Sequence, residues 1–142
     1  MQISNILATK GSTVVTVKPD QTIRDAIALL VKHRIGALVV VDEAGGVVGL
    51  ISERDIVRAA ATNEALFGNS VSALMTTNVI VASPSDDIRS VEQTMTVRRF
   101  RHLPILDEGE LIGIVSIGDV VKAQLDQYQG EIETLHTRVG KG

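Results

Sequence analysis

The sequence predicts an α/β fold made of two related units, and three observations carry that prediction. First, Gly49–Ala59 (GLISERDIVRA) recurs as Gly113–Ala123 (GIVSIGDVVKA), with five of the eleven positions identical and four more conservatively exchanged. Second, Pro84 answers Pro19, Ile88 answers Ile23, Arg89 answers Arg24, Met95 answers Leu30 and Leu103 answers Leu38, all at an offset of 65. The offset drops to 64 after Asp107–Glu110, a turn one residue shorter than its counterpart in the first unit. A surface turn is where a deletion costs least. Third, the chain is 44% hydrophobic but only 2% aromatic, so its core must be packed by Val, Ile, Leu and Ala. A repeat present twice points to a paired body with an approximate two-fold axis rather than a solenoid.

The elements follow in order. Ile3, Ile6 and Leu7 form a short apolar segment, ended by the polar turn Thr9–Ser12. Val14–Val17 is β-branched throughout and predicts a strand stopped by Pro19. Thr22, with Asp25 three residues on, is placed as a helix N-cap. Ile23, Ala26, Ile27, Leu30 and Val31 then recur at helical spacing, and Gly36 is the expected stop. Ala37–Val41 is an unbroken apolar run, the pattern of a strand covered on both faces. Asp42–Gly46 turns the chain into Val47–Ile51 as the hairpin partner, and Ser52 opens a helix reaching about Ala61. The same order restarts at Val71, giving boundaries of 1–68 for the first repeat, 69–126 for the second and 127–142 for a helical tail. On that tail Tyr128, Ile132, Leu135 and Val139 share a face, interrupted by Gly130; the face packs on its own domain or forms a dimer contact.

Several classes of function are excluded or disfavoured. At 142 residues the chain is one ordinary domain or two small ones sharing a core. Its net charge of −3 divides into 7 basic and 7 acidic residues over 1–70 and 7 and 10 over 71–142, so neither half is a basic nucleic-acid surface. The absence of cysteine removes disulfides, thiolate metal sites and Cys nucleophiles, and fits a reducing cytoplasm. No signal-peptide pattern is visible, and the longest apolar run, Ile35–Val41, falls far short of the ~20 residues that span a bilayer. His33, His102 and His136 lack metal-ligand spacing, and no GxGxxG, GxxxxGK[ST] or GxSxG element occurs. Nothing assembles an enzyme's nucleophile, base or metal set.

The repeated Ser-x-x-Asp, Ser52/Asp55 and Ser116/Asp119, lies where a strand hands over to a helix. It is a good helix cap in its own right, because the hydroxyl accepts a backbone N–H and the acid suits the positive end of the helix dipole. Yet the Ser and Asp are kept while the enclosed pairs, Glu53-Arg54 and Ile117-Gly118, differ completely. Strand carboxyl ends beside helix N-termini are common anion-binding crevices in α/β structures.

Two copies of Gly-h-h-Ser-x-x-Asp-h-h (h apolar), Met75-Thr76 opening the second unit, and Arg101-His102-Leu103-Pro104 before its central strand together resemble a tandem pair of CBS domains, the Bateman module. The likeness covers residues 1–125 and is nearest to modules with no attached enzyme or channel. It implies two pseudo-two-fold-related repeats, each a small mixed sheet with two helices packed on it. It further implies binding of AMP, ADP, ATP, NAD(H) or S-adenosylmethionine in two clefts between the repeats, with Asp55 and Asp119 taking the ribose hydroxyls. By the same resemblance, Thr76, Thr77 and Val79 complete the first site, and Thr9, Lys10, Val14 and Val15 the second. Phosphates need cations, and here the copies differ. Arg54 and Arg58 stand beside the first junction; Gly118, Lys122, Arg101 and His102 attend the second. Arg98 and Arg99 read as a solvated charge run, so Arg101 is preferred over them. The expectation is a regulatory homodimer, a flat disc of two pairs, with two unequal adenine-nucleotide sites that sense energy or redox state. The competing expectation is a nucleotide-independent interaction module docking a regulated partner.

Overall fold

The computed structural model describes the backbone of residues 1–141 and the side chains of residues 1–130. The first repeat contains β1 (Thr16–Val17), α2 (Ile23–His33), β2 (Ala37–Val41), β3 (Val47–Ser52) and α3 (Glu53–Ala60), preceded by α1 (Ile3–Lys10). Two short 3-10 turns, Leu66–Gly68 and Val71–Ala73, link it to α4 (Ile88–Arg98), β4 (His102–Asp107), β5 (Glu110–Ser116) and α5 (Ile117–Lys141). The order in the first sheet is β1-β2-β3, with β2 parallel to β1 and antiparallel to β3, while β4 and β5 form an antiparallel pair.

The duplication holds residue by residue. Val17 pairs with Val40 in the first repeat, and Ala82 pairs with Ile105 in the second. Both hairpins shift register at matching points, after Val40 and after Ile105. Helix α2 buries Ile23, Ala26 and Leu30; α4 buries Ile88, Val91 and Met95 at the same turns. Thr22 and Asp25 make the reciprocal capping box expected at the start of α2. Strand β2 is buried along its whole length, the consequence of apolar cover on both faces.

Two expectations need correction. Only Thr16 and Val17 of the Val14–Val17 run are strand, and the matching element of the second repeat is the single Ala82–Ile105 bridge. β-branching made the run look longer than the pairing that β2 offers it. Nor does Gly36 stop α2. The helix ends at His33, and Arg34 (φ 54°) takes the left-handed cap, its N–H reaching Leu30 and Val31 carbonyls. Arg99 (φ 59°) does the same for α4. Helix α5 runs through Gly130 without a break in its backbone; the side chains of Ile132, Leu135 and Val139 lie outside the described residues.

Each repeat is completed by the segment that precedes the other. Ile3 N–H donates to Asp86 O and Ser4 N–H to Pro84 O, while Val71 N–H donates to Gln21 O and Ser72 N–H to Pro19 O. Accordingly Ile3 is buried in the second core and Val71 in the first. A fully buried Ile side chain is worth about 1.5–3 kcal/mol, enough to fix this exchange. Gly49 and Gly113 make room for it. A Cβ at Gly49 would stand 2.5 Å from Met75 Sδ, and one at Gly113 would stand 2.7 Å from Leu7 Cδ2. These glycines are repeated because β3 and β5 each receive an exchanged segment at close range.

Candidate functional site

Strands β3 and β5 end on Ser52 and Ser116, and each serine caps the helix that follows. At the first junction Asp55 N–H donates to Ser52 Oγ (3.2 Å). Asp55 Oδ2 accepts from Ser52 N (3.0 Å) and Ser52 Oγ (2.9 Å). At the second, Asp119 N–H donates to Ser116 Oγ (3.1 Å), and Asp119 Oδ2 accepts from Ser116 N (2.9 Å). Both carboxylates are therefore helix caps, half-buried and held through one oxygen. Neither Oδ1 has a protein donor among the described residues.

The two junctions differ in what lies opposite. Lys10, from the end of α1, donates from Nζ to Asp119 Oδ2 at 2.6 Å and to Ile114 O at 2.8 Å. Asp119 and Lys10 are 109 positions apart and meet only because α1 docks on the second repeat. In the first repeat the matching carbonyl, Leu50 O, is taken by the backbone N–H of Thr76, which also gives its own carbonyl to Leu50 N. Thr76 is thus brought beside β3 two residues before Ser52, and Lys10 occupies the corresponding place beside β5.

Burial pushes the Asp119 carboxyl up, but the hydrogen bond from Lys10, the Ser116 backbone N–H and the nearby ammonium charge outweigh it. The carboxyl is held below the ordinary carboxylate range. His102 is half-buried at the start of β4, and its Nε2 and the Glu53 Oε1 both lie beside Gly36, each 3.4 Å from where a Cβ there would stand. Burial, then the positive charges of Lys10 and Arg101, lowers its pKa, with Glu53 and Asp119 opposing in part. His102 therefore favours its neutral form more than a free imidazole does, and it lies in electrostatic reach of both repeats.

A groove of about 570 Å³ runs between α1 and α5, lined by Asn5, Thr9, Lys10, Asp119, Lys122 and Asp126 among others. That volume lies within the ~300–1,000 Å³ typical of small-molecule sites. Thr9, Lys10 and Asp119 are thus brought together with Lys122, three residues beyond Asp119 on α5. Asp126 was missed by sequence reasoning; its helical spacing from Asp119 and Lys122 was the available signal. Val15 packs against the first core and Val14 is half-buried beside it. Arg54, Arg58, Thr76, Thr77, Arg101 and Gly118 are exposed, and Val79 is half-buried.

Two copies of one strand–helix unit, completed by exchanged segments and each presenting a capped carboxylate, define a duplicated α/β pair. The chain belongs to the CBS family: the CBS-domain model matches residues 4–62 and 71–126. It is 32% identical over 123 residues to the CBS domain-containing protein YhcV of Bacillus subtilis, covering 87% of each chain. Among solved structures it is similar to the CBS-domain containing protein ATU1752 from Agrobacterium tumefaciens, with 44% identity, a TM-score of 0.84, and coverage of 87% of this chain and 99% of that one. The CBS domain pair of protein MJ0100, solved with 5-methylthioadenosine and S-adenosyl-L-methionine, is 28% identical with a TM-score of 0.80, covering 89% of this chain and 98% of that one. No helix among the described residues is long and apolar enough to cross a membrane.

Proposed function

We propose that this CBS pair is a regulatory module that binds adenosine-containing ligands, AMP, ADP, ATP or NAD(H), in two unequal clefts built on Asp55 and Asp119. The observation that carries the reading is the pair of capped, half-buried carboxylates with an open Oδ1. A carboxylate fixed in this way can accept both hydroxyls of a ribose, each a charge-assisted bond worth ~1.5–3 kcal/mol when desolvated. The crystallised MJ0100 pair with two adenosyl ligands supports the ligand class. In this reading Ser52, Arg54, Arg58, Thr76, Thr77 and Val79 serve the first site. Thr9, Lys10, Val14, Val15, Arg101, His102, Ser116 and Gly118 serve the second.

The module acts as an energy or redox sensor, passing ligand occupancy to a partner through the angle between repeats or through a homodimer contact. A ligand shifts such an equilibrium only as far as it favours one state. Thermal shift and calorimetry with AMP, ATP, NADH and S-adenosylmethionine test this. The expected result is a raised melting temperature and two distinguishable affinities for at least one of them. A flat response to all four would leave the interaction-module reading. One observation favours that alternative: Val31, Val57 and Val97 are 72%, 69% and 73% exposed on helices α2, α3 and α4.

A further inference from the structure

The two clefts close their strand edges differently. Beside β3 the edge carbonyl of Leu50 is paired to backbone, Thr76 N–H, which cannot leave without unzipping the bridge. Beside β5 the equivalent carbonyl of Ile114 is paired to a side chain, the Lys10 ammonium, which also holds Asp119. The cause lies in the exchanged segments. Residues 71–73 form one short turn and Thr76 then bridges to β3, whereas residues 3–10 continue as helix and pack on β5 through side chains such as Leu7, with no backbone bridge to it among the described residues. The flexible Lys10 side chain takes the Ile114 carbonyl instead. Lys10 therefore holds Oδ2, one of the two Asp119 oxygens that a ribose diol would take together, and it sits on a groove that also carries Lys122.

We propose that Lys10 is the specificity-determining residue of the second cleft, a displaceable occupant of Asp119 that selects phosphorylated over unphosphorylated adenosine ligands. This rests on the ligand reading given above and adds the ligand class of one site. When a ribose diol takes Asp119, the ammonium loses its carboxylate. A neutral nucleoside offers it nothing in return, and a sulfonium ligand places a second cation beside it. A nucleotide offers a phosphate, which Lys10 reaches by rotation of its four-carbon stem while Lys122 contributes from α5. The lining sets Lys10 and Lys122 against Asp119 and Asp126, a balanced set of charges, so the phosphate of a nucleotide supplies the anion that replaces Asp119 as the partner of Lys10. The first cleft has no such occupant, since Asp55 accepts only from Ser52.

The test uses the full chain, with adenosine, 5-methylthioadenosine and AMP as probes. Titrations are followed at the amide resonances of Gly118 and Asp119, which report the second cleft apart from Asp55. The wild-type protein should bind AMP at least about tenfold tighter than adenosine. Lys10→Met should strengthen adenosine binding by about threefold, since a partly exposed ion pair no longer has to be broken. It should weaken AMP binding by about tenfold, through loss of a charge-assisted contact. The preference should collapse accordingly. Lys10→Gln, which keeps a donor for Ile114 O without the charge, should behave as Lys10→Met does. A second readout needs no ligand: in Lys10→Met the Asp119 carboxyl should titrate closer to its ordinary value. Binding of all three probes with an unchanged preference in both variants overturns this inference alone. Absence of binding by any of the three overturns it together with the reading on which it rests.

Discussion

Replacing Asp119 by Asn separates the two roles assigned to the second junction. The carboxylate takes the Lys10 ammonium at 2.6 Å and the Ser116 N–H at 2.9 Å. The ion pair is partly open, with side chains 38% and 26% exposed, so solvent screening limits it to about 0.2–1 kcal/mol. The Asn amide oxygen can still accept from Ser116 N, which retains most of a cap worth ~1 kcal/mol. Asp119→Asn should therefore cost about 1 kcal/mol in urea unfolding at pH 7. Asp55→Asn, which breaks no ion pair, should cost about half as much. The pH dependence has a definite sign. The Asp119 carboxyl is held below its reference value of 3.8, so its contribution is complete above that pH and is lost as pH falls through the lowered folded value. The difference between wild type and Asp119→Asn should shrink in acid accordingly. Calorimetry reads the other role: AMP affinity at the second cleft should fall by ~10–100-fold. A folded Asp119→Asn protein with undiminished AMP affinity would return this junction to a plain helix cap.

Two further outcomes follow from the geometry. Gly49→Ala should destabilise by about 1–3 kcal/mol in denaturant melts, because the new methyl meets Met75 Sδ at 2.5 Å and the Thr76 carbonyl at 3.1 Å. Gly113→Ala, whose three nearest neighbours all belong to the Leu7 side chain and include no backbone atom, should cost less, and an equal cost would refute the account of the exchange. His102 has a lowered pKa in the folded chain, so the unfolded chain takes up its proton first and stability should decline as pH falls below 6.5. His102→Gln should flatten that part of the stability–pH profile; an unchanged slope would assign it to other groups.

Much of the architecture was legible because the chain states it twice. The constant offset from Ile23/Ile88 to Leu38/Leu103 placed both helices and both central strands, and Thr22/Asp25 marked a helix start that the structure reproduces. What stayed hidden depends on contacts distant in sequence. The length of β1 is set by how much of it β2 can pair, not by the β-branching of Val14 and Val15. Arg34 and Arg99 cap their helices in the left-handed region, where arginine carries no strong local signal and Gly36 was the more obvious candidate. Their recurrence at the repeat offset was the clue available. The family resemblance put Lys10 in the second site, but not that its ammonium would already occupy Asp119, because that contact exists only once α1 has crossed to the other repeat.

The central claim is that Asp55 and Asp119 hold adenosine ligands. Native mass spectrometry of the protein purified from its own cells, compared with the Asp55→Ala/Asp119→Ala double variant, tests it most directly. The account predicts a retained or AMP-exchangeable adduct of adenosine-ligand mass on the wild-type protein and none on the folded double variant. An adduct that survives both substitutions, or a wild-type protein that stays bare with AMP in excess, would contradict it.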